Sequence, residues 1–348
     1  MKRKQGRLPD EIIFVVCEKL IKNGERPTEI ASWVTGRGFP CSREQIYSIF
    51  SRGIEKGFLR LSPPPEIELA RSLMQKYHID FTVLNVGPDT IGAPIVVEQL
   101  GAAAADLAVR LIHEVHTRTG KKSVHLGFGH GETVQKSAWH LGSRLKNETQ
   151  LPEELVLHAL STGVDVKHPS GAPVSFFSFF TETKPRLKLI GLFAEAYVDL
   201  ESYEEFKNKA WMREAFQQGR AIDIVMTSLA SAKDKDNLFR KFIRESEPKD
   251  LEYLRSVGWL GDIMWRTYSE TAPIVTGTRG RAVTIFELSD LVDLAQQTDK
   301  HVILIAGPCS ECSRVRTDAL LPLLREPSLR VCNHIVTDAK TAAELLKA

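Results

Sequence analysis

Apolar residues recur at helical spacing through the first sixty positions and then give way to short continuous runs. Ile12, Ile13, Val16, Leu20 and Ile21 fall on one helix face. Leu8-Pro9-Asp10 opens that helix, with Asp10 placed as its N-cap, and Asn23-Gly24 ends it. Pro27 or Thr28 starts a shorter helix carrying Ile30, Ala31 and Val34, and residues 36–40 make a turn. Ser42 caps a third helix with Ile46, Ile49, Phe50 and Ile54 inward, and Gly57 stops it. Phe58-Leu59-Arg60-Leu61 reads as a short extended piece.

Ser62-Pro63-Pro64-Pro65 continues neither a helix nor a central strand, and a domain boundary is placed there. A linker helix over 66–77 leads on. Strands are then predicted at 81–86, 123–127, 155–160, 187–191, 222–227, 301–306 and 331–337, with helices between most of them. The longest helix, over 95–117, carries small residues from Ala102 to Ala105 that allow close packing. This alternation predicts an α/β fold with a mostly parallel, doubly wound sheet. The expected division is a head over 1–62, a linker and linker helix over 63–78, and an α/β domain over 79–348.

Composition adds little until charge is split by region. With 43% hydrophobic and 26% charged residues the chain reads as an ordinary globular protein. It has neither an apolar run of membrane-spanning length nor a signal-peptide core, so a cytoplasmic location is expected. Five cysteines, an odd number, suggest no disulfide framework. Net charge is +2, but residues 1–60 hold twelve Lys and Arg against seven Asp and Glu. A basic head on a slightly acidic body suits a protein whose head alone meets a polyanion.

A helix, a turn and a second helix beginning Ser42-Arg43-Glu44-Gln45 resemble a helix-turn-helix, whose second helix enters the major groove of duplex DNA. From its N-terminus Arg43 can fork onto guanine and Gln45 onto adenine. Tyr47, Ser48 and Arg52 can hold phosphates, and residues 54–61 look like a helix end running into a small wing. A helical dimerisation or docking module would show the same apolar spacing.

In the second region the strand at 123–127 runs into Phe128-Gly129-His130-Gly131-Glu132-Thr133 and then a helix. Glycines permit close backbone approach, and the helix N-terminus offers free N–H groups to an anion, with Thr133 adding a hydroxyl. This is neither a dinucleotide fingerprint nor a P-loop, and no cofactor is expected. Two further loops, at Gly307-Pro308 and at Thr337-Asp338, follow predicted strands on the same sheet edge.

Five segments in order resemble the SorC/DeoR-like sugar-binding transcriptional regulators: Leu100-Gly101-Ala102-Ala103-Ala104-Ala105, Leu126-Gly127 through Thr133, Val257-Gly258-Trp259-Leu260-Gly261-Asp262-Ile263, Ile303-Leu304-Ile305-Ala306-Gly307, and Ile335-Val336-Thr337-Asp338-Ala339-Lys340-Thr341-Ala342. The resemblance implies a helix-turn-helix head, an effector domain similar to sugar-phosphate isomerases, a phosphorylated sugar as effector, and dimers or tetramers on operator DNA. The effector residues expected from these segments are Gly127, Gly129, His130, Gly131, Glu132, Thr133 and Gly307; Asp262 and Glu270, with Arg266 between them, are further candidates to face the effector, Glu270 reading equally as a solvated loop charge. The chain departs from the family pattern at Gly129-His130 and at Pro308, and Arg316 is the cation that fits best beyond the second departure.

Weaker constellations are set aside. Cys309, Cys312, Cys332 and His334 make four zinc ligands on paper, but parallel strands would hold the two halves at opposite sheet edges, roughly 15–20 Å apart at ~3.3 Å per residue. No metal is expected. Phe176 through Phe180, Trp211, Trp259 and Trp265 are read as packing. No carboxylate–His pair meets at one loop, so no catalysis is expected. The alternatives are an isomerase- or deaminase-like enzyme of sugar phosphates, and a regulator with a degenerate pocket acting by assembly.

Overall fold

Three helices close over one apolar seam in the first of the two units into which the chain divides, residues 1–62 and 63–348. The computed structural model describes residues 8–59, 62–162, 169–235 and 237–348. Helices α1 (Asp10–Ile21), α2 (Pro27–Thr35) and α3 (Arg43–Glu55) form the first unit. Ile13, Val16, Ile30, Val34 and Ile46 are fully buried between them. Pro9 rather than Asp10 stands at the N-cap of α1; Asp10 and Glu11 occupy the first turn, where their charge meets the positive end of the helix dipole.

Ile54 is exposed, contrary to the inward placement expected of it. α3 turns the row Ile46, Ile49 and Gly53 inward, and the next residue lies about 100° further round. Gly53 is there because the helices nearly touch: a Cβ on it would lie 2.2 Å from Cys17 Sγ. Between α2 and α3 the Thr35 hydroxyl accepts from the Cys41 N–H at 3.2 Å, closing a turn longer than that of the tightest helix-turn-helix units. Phe58 packs edge-on against Phe14 at 6.0 Å. Residues 58–59 form no strand, and Arg60 and Leu61, the rest of the expected wing, lie outside the described residues.

In the second unit the expected linker helix, α4 (Ile67–Tyr77), is part of the fold. Leu73 and Tyr77 are buried, and the Tyr77 hydroxyl donates to the Leu345 carbonyl at 2.8 Å. Seven strands follow: β1 (Asp80–Leu84), β2 (Ser123–Phe128), β3 (Glu154–Ala159), β4 (Arg186–Ile190), β5 (Ile224–Ser228), β6 (His301–Ala306) and β7 (His334–Asp338). They coincide with the seven predicted runs except at their ends. Every pairing is parallel, in the order β1-β7-β6-β5-β2-β3-β4. β6 and β7 are buried throughout, as strands covered on both faces must be.

α5 (Ala93–Thr119) and α6 (Glu132–Leu145) cross closely, because a Cβ on Gly101 would already be 3.1 Å from Lys136 Cβ. Phe176 and Phe180 are fully buried against Phe128. Among the described residues no helix is long and apolar enough to cross a membrane. Two small antiparallel additions had no counterpart in the periodicity: a three-stranded piece (Ala230–Ser231, Gly261–Ile263, Arg266–Tyr268) and a pair (Tyr197–Asp199, Gly280–Ala282).

Two histidine pairs brace the sheet. His125 Nδ1 lies 3.0 Å from His158 Nε2, and His301 Nδ1 lies 3.0 Å from His334 Nε2. Burial pushes His158 down to about 3 and His334 down to about 4, so these rings are neutral at physiological pH.

Two outcomes are expected. Gly53→Ala overpacks the α1–α3 contact and costs the head about 1–3 kcal/mol. Adding Cys17→Ala removes the clashing sulfur and restores most of the loss, read as hydrogen-exchange protection of α1 and α3 in the full chain. For pH, an unfolded His158 takes up a proton near 6.5, whereas the folded one resists until about 3. Its contribution is therefore complete above pH 6.5 and is lost as pH falls through that window. Asp262, pushed up to about 7, acts with the opposite sign, so the informative quantity is the difference from a variant. His158→Asn should lose less Tm than the parent between pH 7.5 and 5; equal slopes would contradict the burial argument.

Candidate functional site

Neighbouring strands β2 and β5 send their chains in opposite directions. β2 leads toward β3 and β4, β5 toward β6 and β7, so a crevice opens beyond their carboxyl ends that no crossover covers. A cavity of about 580 Å³ occupies it. His130, Gly131, Glu132 and Thr133 line it from beyond β2, and Ser228, Leu229, Ala230, Asp234 and Asn237 from β5 onward. Pro308, Cys309, Ser310, Glu311 and Arg316 line it from beyond β6. Asp262, Met264 and Trp265, on the antiparallel addition, close another side.

The glycines of this edge do different jobs. Gly131, at φ +106°, is the N-cap residue of α6 in a conformation side chains rarely adopt, and as glycine it brings no side chain to cap that helix. Its N–H donates to the Gly171 carbonyl at 3.0 Å. Gly129 gives close approach: a Cβ there would lie 2.8 Å from Thr227 Oγ1. Gly127 and Gly307 likewise serve packing, against Leu160 and Leu100, and none of these three glycines lines the cavity, contrary to the effector role expected of them.

His130 Nδ1 pairs with Ser161 Oγ at 2.9 Å, and its ring meets Trp265 edge-on at 5.6 Å. Burial pushes it down to about 4, leaving a neutral ring that can exchange hydrogen bonds with a ligand. Glu132 is exposed; its carboxylate accepts from Ser310 Oγ at 2.8 Å and pairs with Lys136 at 3.1 Å, tying the start of α6 to the β6 loop.

Trp265 and Met264 form the two-residue turn between Gly261–Ile263 and Arg266–Tyr268, with φ of 64° and 52°. Such a turn ordinarily selects Asn-Gly, and positive φ costs a bulky residue about 1–3 kcal/mol. Packing holds it: the Trp265 ring lies 5.3 Å from Phe239 and 5.1 Å from Phe242. Trp265 is thus both core and cavity wall.

Beneath the turn runs a chain of buried polar groups. Asp262 accepts from Asn237 Nδ2 at 3.0 Å. Burial, with the nearby Asp234 charge, pushes it up to about 7 against the pull of that hydrogen bond. Asn237 Oδ1 caps α7 (Leu238–Ser246) by accepting from the Arg240 N–H at 2.8 Å. Asp234 Oδ2 accepts from Arg316 Nε at 2.7 Å and from the Ser231 N–H at 3.1 Å. Arg316 Nη1 donates to the Leu229 carbonyl at 3.1 Å, fixing the guanidinium at the cavity wall just before α8 (Thr317–Arg325).

Three expectations need correction. Glu270 does not face the cavity: the Arg266–Tyr268 strand carries it past the wall into an exposed turn. The Thr337-Asp338 loop is spent on structure, since Asp338 caps α9 (Ala339–Lys347) by accepting from the Thr341 N–H at 3.0 Å. In the head, Gln45 Oε1 accepts from the Ser42 N–H at 2.7 Å while Ser42 Oγ accepts from the Gln45 N–H. This is a capping box, and it engages the amide oxygen that a bidentate contact to adenine would need. Arg43, Tyr47 and Ser48 are exposed on the side of α3 away from its buried row, and Arg52 is half-buried.

Asp234 and Asn237 were missed because residues 233–237 read as a solvated polar loop, and only pairing with the distant Gly261–Ile263 strand turns them inward. Met264 carried no signal for its place in the wall.

A comparison with curated proteins finds no match. Among solved structures, the full-length sorbitol operon regulator SorC from Klebsiella pneumoniae is similar, at 16% identity and a TM-score of 0.67, over 98% of this chain and 100% of that one. A DeoR family transcriptional regulator from Listeria monocytogenes is 17% identical, with a TM-score of 0.58, over 80% of this chain and 98% of that one. A transcriptional regulator from Streptococcus pneumoniae TIGR4 is 14% identical, with a TM-score of 0.59, over 81% and 96%. These likenesses establish the fold. Residues 65–347 match the family described as "Putative sugar-binding domain", and the chain belongs to that family.

Proposed function

We propose that the chain is a ligand-responsive transcriptional regulator whose head contacts duplex DNA through α3 and whose second unit binds a small phosphorylated sugar in the crevice between β2 and β5. The observation that carries the reading is the meeting, around one cavity, of the uncapped N-terminus of α6 and the fixed guanidinium of Arg316. The first offers backbone N–H groups and a positive dipole end to an anion, the second a planar cation. Neutral His130 and Asp262 supply hydrogen bonds suited to hydroxyls. The family description and the solved relatives, named as operon and transcriptional regulators, support the same assignment.

The head offers one short exposed helix face, so tight DNA binding calls for two or more heads joined through the second units. The protein acts as a dimer or tetramer, by binding rather than catalysis. Sedimentation should find an oligomer at working concentration, and a monomer that binds operator-length DNA as tightly would refute this part.

Arg316→Ala should weaken a phosphorylated ligand about ten- to a hundredfold, the value of a charge-assisted hydrogen bond, and its unphosphorylated analogue much less, by calorimetry. Equal losses would remove the phosphate from the pocket. Arg43→Ala should reduce preference for the cognate site by about 1–3 kcal/mol if it reads guanine. Equal losses on specific and random DNA would make it a phosphate contact.

A further inference from the structure

Cys309 and Cys312 were set aside in the sequence because Cys332 and His334 cannot reach them, and the fold keeps those two at the opposite end of the sheet, at the start of β7. It brings another ligand instead. Asp234, from the loop after β5, places a carboxylate oxygen within 4.8 Å of both sulfurs. In a tetrahedral zinc centre with ~2.3 Å Zn–S bonds, ligand atoms stand roughly 3.5–3.8 Å apart. The three groups therefore need to close by no more than about 1.3 Å. Asp234 is 1% exposed, and its Oδ1 accepts no hydrogen bond from the described residues; the Arg314 guanidinium lies 4.0 Å away. A buried carboxylate oxygen without a partner is costly, and here it stands beside two thiols.

The segment that carries the two thiols is held in one shape by its own backbone. The loop is closed by paired backbone bonds, Cys309 N–H to the Arg314 carbonyl and Ser313 N–H to the Cys309 carbonyl, both 2.9 Å, with Ser313 at positive φ. Arg316 holds the other oxygen of Asp234, the outer-shell contact that orients a ligating carboxylate.

We infer that Cys309, Cys312 and Asp234 form a binding site for a zinc-class divalent cation in the wall of the ligand cavity. Two sulfurs and one oxygen suit a borderline-soft ion and exclude magnesium or calcium as the preferred occupant. Three protein ligands leave a fourth position, and because Cys309 and Asp234 both line the cavity, that position is offered to an oxygen of the bound ligand. The ion itself binds whether or not the sugar reading is correct; only the fourth position depends on it.

The test is titration of the full-length, reduced, chelator-treated protein with Co²⁺ as a coloured substitute for zinc, followed by displacement with Zn²⁺. One equivalent should bind with a thiolate-to-cobalt charge-transfer band in the near ultraviolet. Cys309→Ser and Cys312→Ser should each abolish the stoichiometric band. Asp234→Asn should keep the band but weaken binding at least ~10-fold. Cys41→Ser, in the head, should change nothing. Cys312 is half-exposed, so its variant keeps the fold, checked by Tm, and stays decisive if Asp234→Asn is unstable. Absence of a band at any concentration, a band surviving Cys312→Ser, or undiminished affinity in folded Asp234→Asn would overturn the site. Ligand binding measured on the same metal-free protein keeps this result separate from that of the sugar: loss of one leaves the other standing.

Discussion

Parallel strand pairing forces every connection to cross the sheet, and at β2 and β5 two adjacent connections cross away from each other. Everything functional in the second unit follows from the gap this leaves. Strands covered on both faces bury their backbone groups in ladders, but the ends at the gap still need partners. The structure supplies them from one side by the antiparallel addition, whose Gly261–Ile263 strand pairs with Ala230–Ser231 just beyond β5. The gap is narrow at its floor because Gly129 lets the loop after β2 lie against Thr227 and Met264. The wall is then held by interactions internal to the protein, and the shape exists before any ligand arrives.

The wall is notable for how much polarity it buries. Asp234, Asn237 and Asp262 are each 3% exposed or less, and all three lie within one network. Such groups remain in an interior only when satisfied or used. Asn237 is fully employed, between a carboxylate, a carbonyl and a helix N-terminus. Asp262 meets its burial by holding its proton to about pH 7. The strained Met264–Trp265 turn belongs to the same economy: aromatic contacts with Phe239 and Phe242 hold a backbone geometry that the residues themselves disfavour.

How much of this was legible in the sequence depends on the range of the interactions involved. The inner strands were readable because a strand buried on both faces is a continuous apolar run, as in His301–Ala306. The head helices were readable from their period, and the loops at Gly129–Thr133 and Arg316 from strand ends followed by helices. Ile54 was misplaced because a period of 3.6 leaves adjacent residues ambiguous at the margin of a face, and Gly53 gave no apolar signal of its own. Gln45 was misread although Ser42-x-x-Gln45 has capping-box spacing, because a residue that can serve a helix end or a base edge reads the same in both roles. Asp234, Asn237 and the 261–268 hairpin were out of reach, since their placement rests on contacts between segments 25 residues apart or more. Glu270 went the other way: chain proximity to Asp262 suggested a shared site, and one reversal of direction separated them.

The position of β7 has a consequence for how this molecule is made. Its five residues lie within the last fifteen of the chain, yet they fill the space between β1 and β6. β1, formed from residues 80–84, pairs in the sheet with β7 alone among the described strands. During synthesis the three-helix head can reach its final structure as soon as it leaves the ribosome, its contacts being local. The sheet of the second unit must wait, with β1 held only by residues 64–66 at its outer edge and the flank of β6 open, until residue 338 emerges more than 250 residues later. Contacts so distant in sequence make closure slow, and over that interval an apolar strand edge is exposed to other chains.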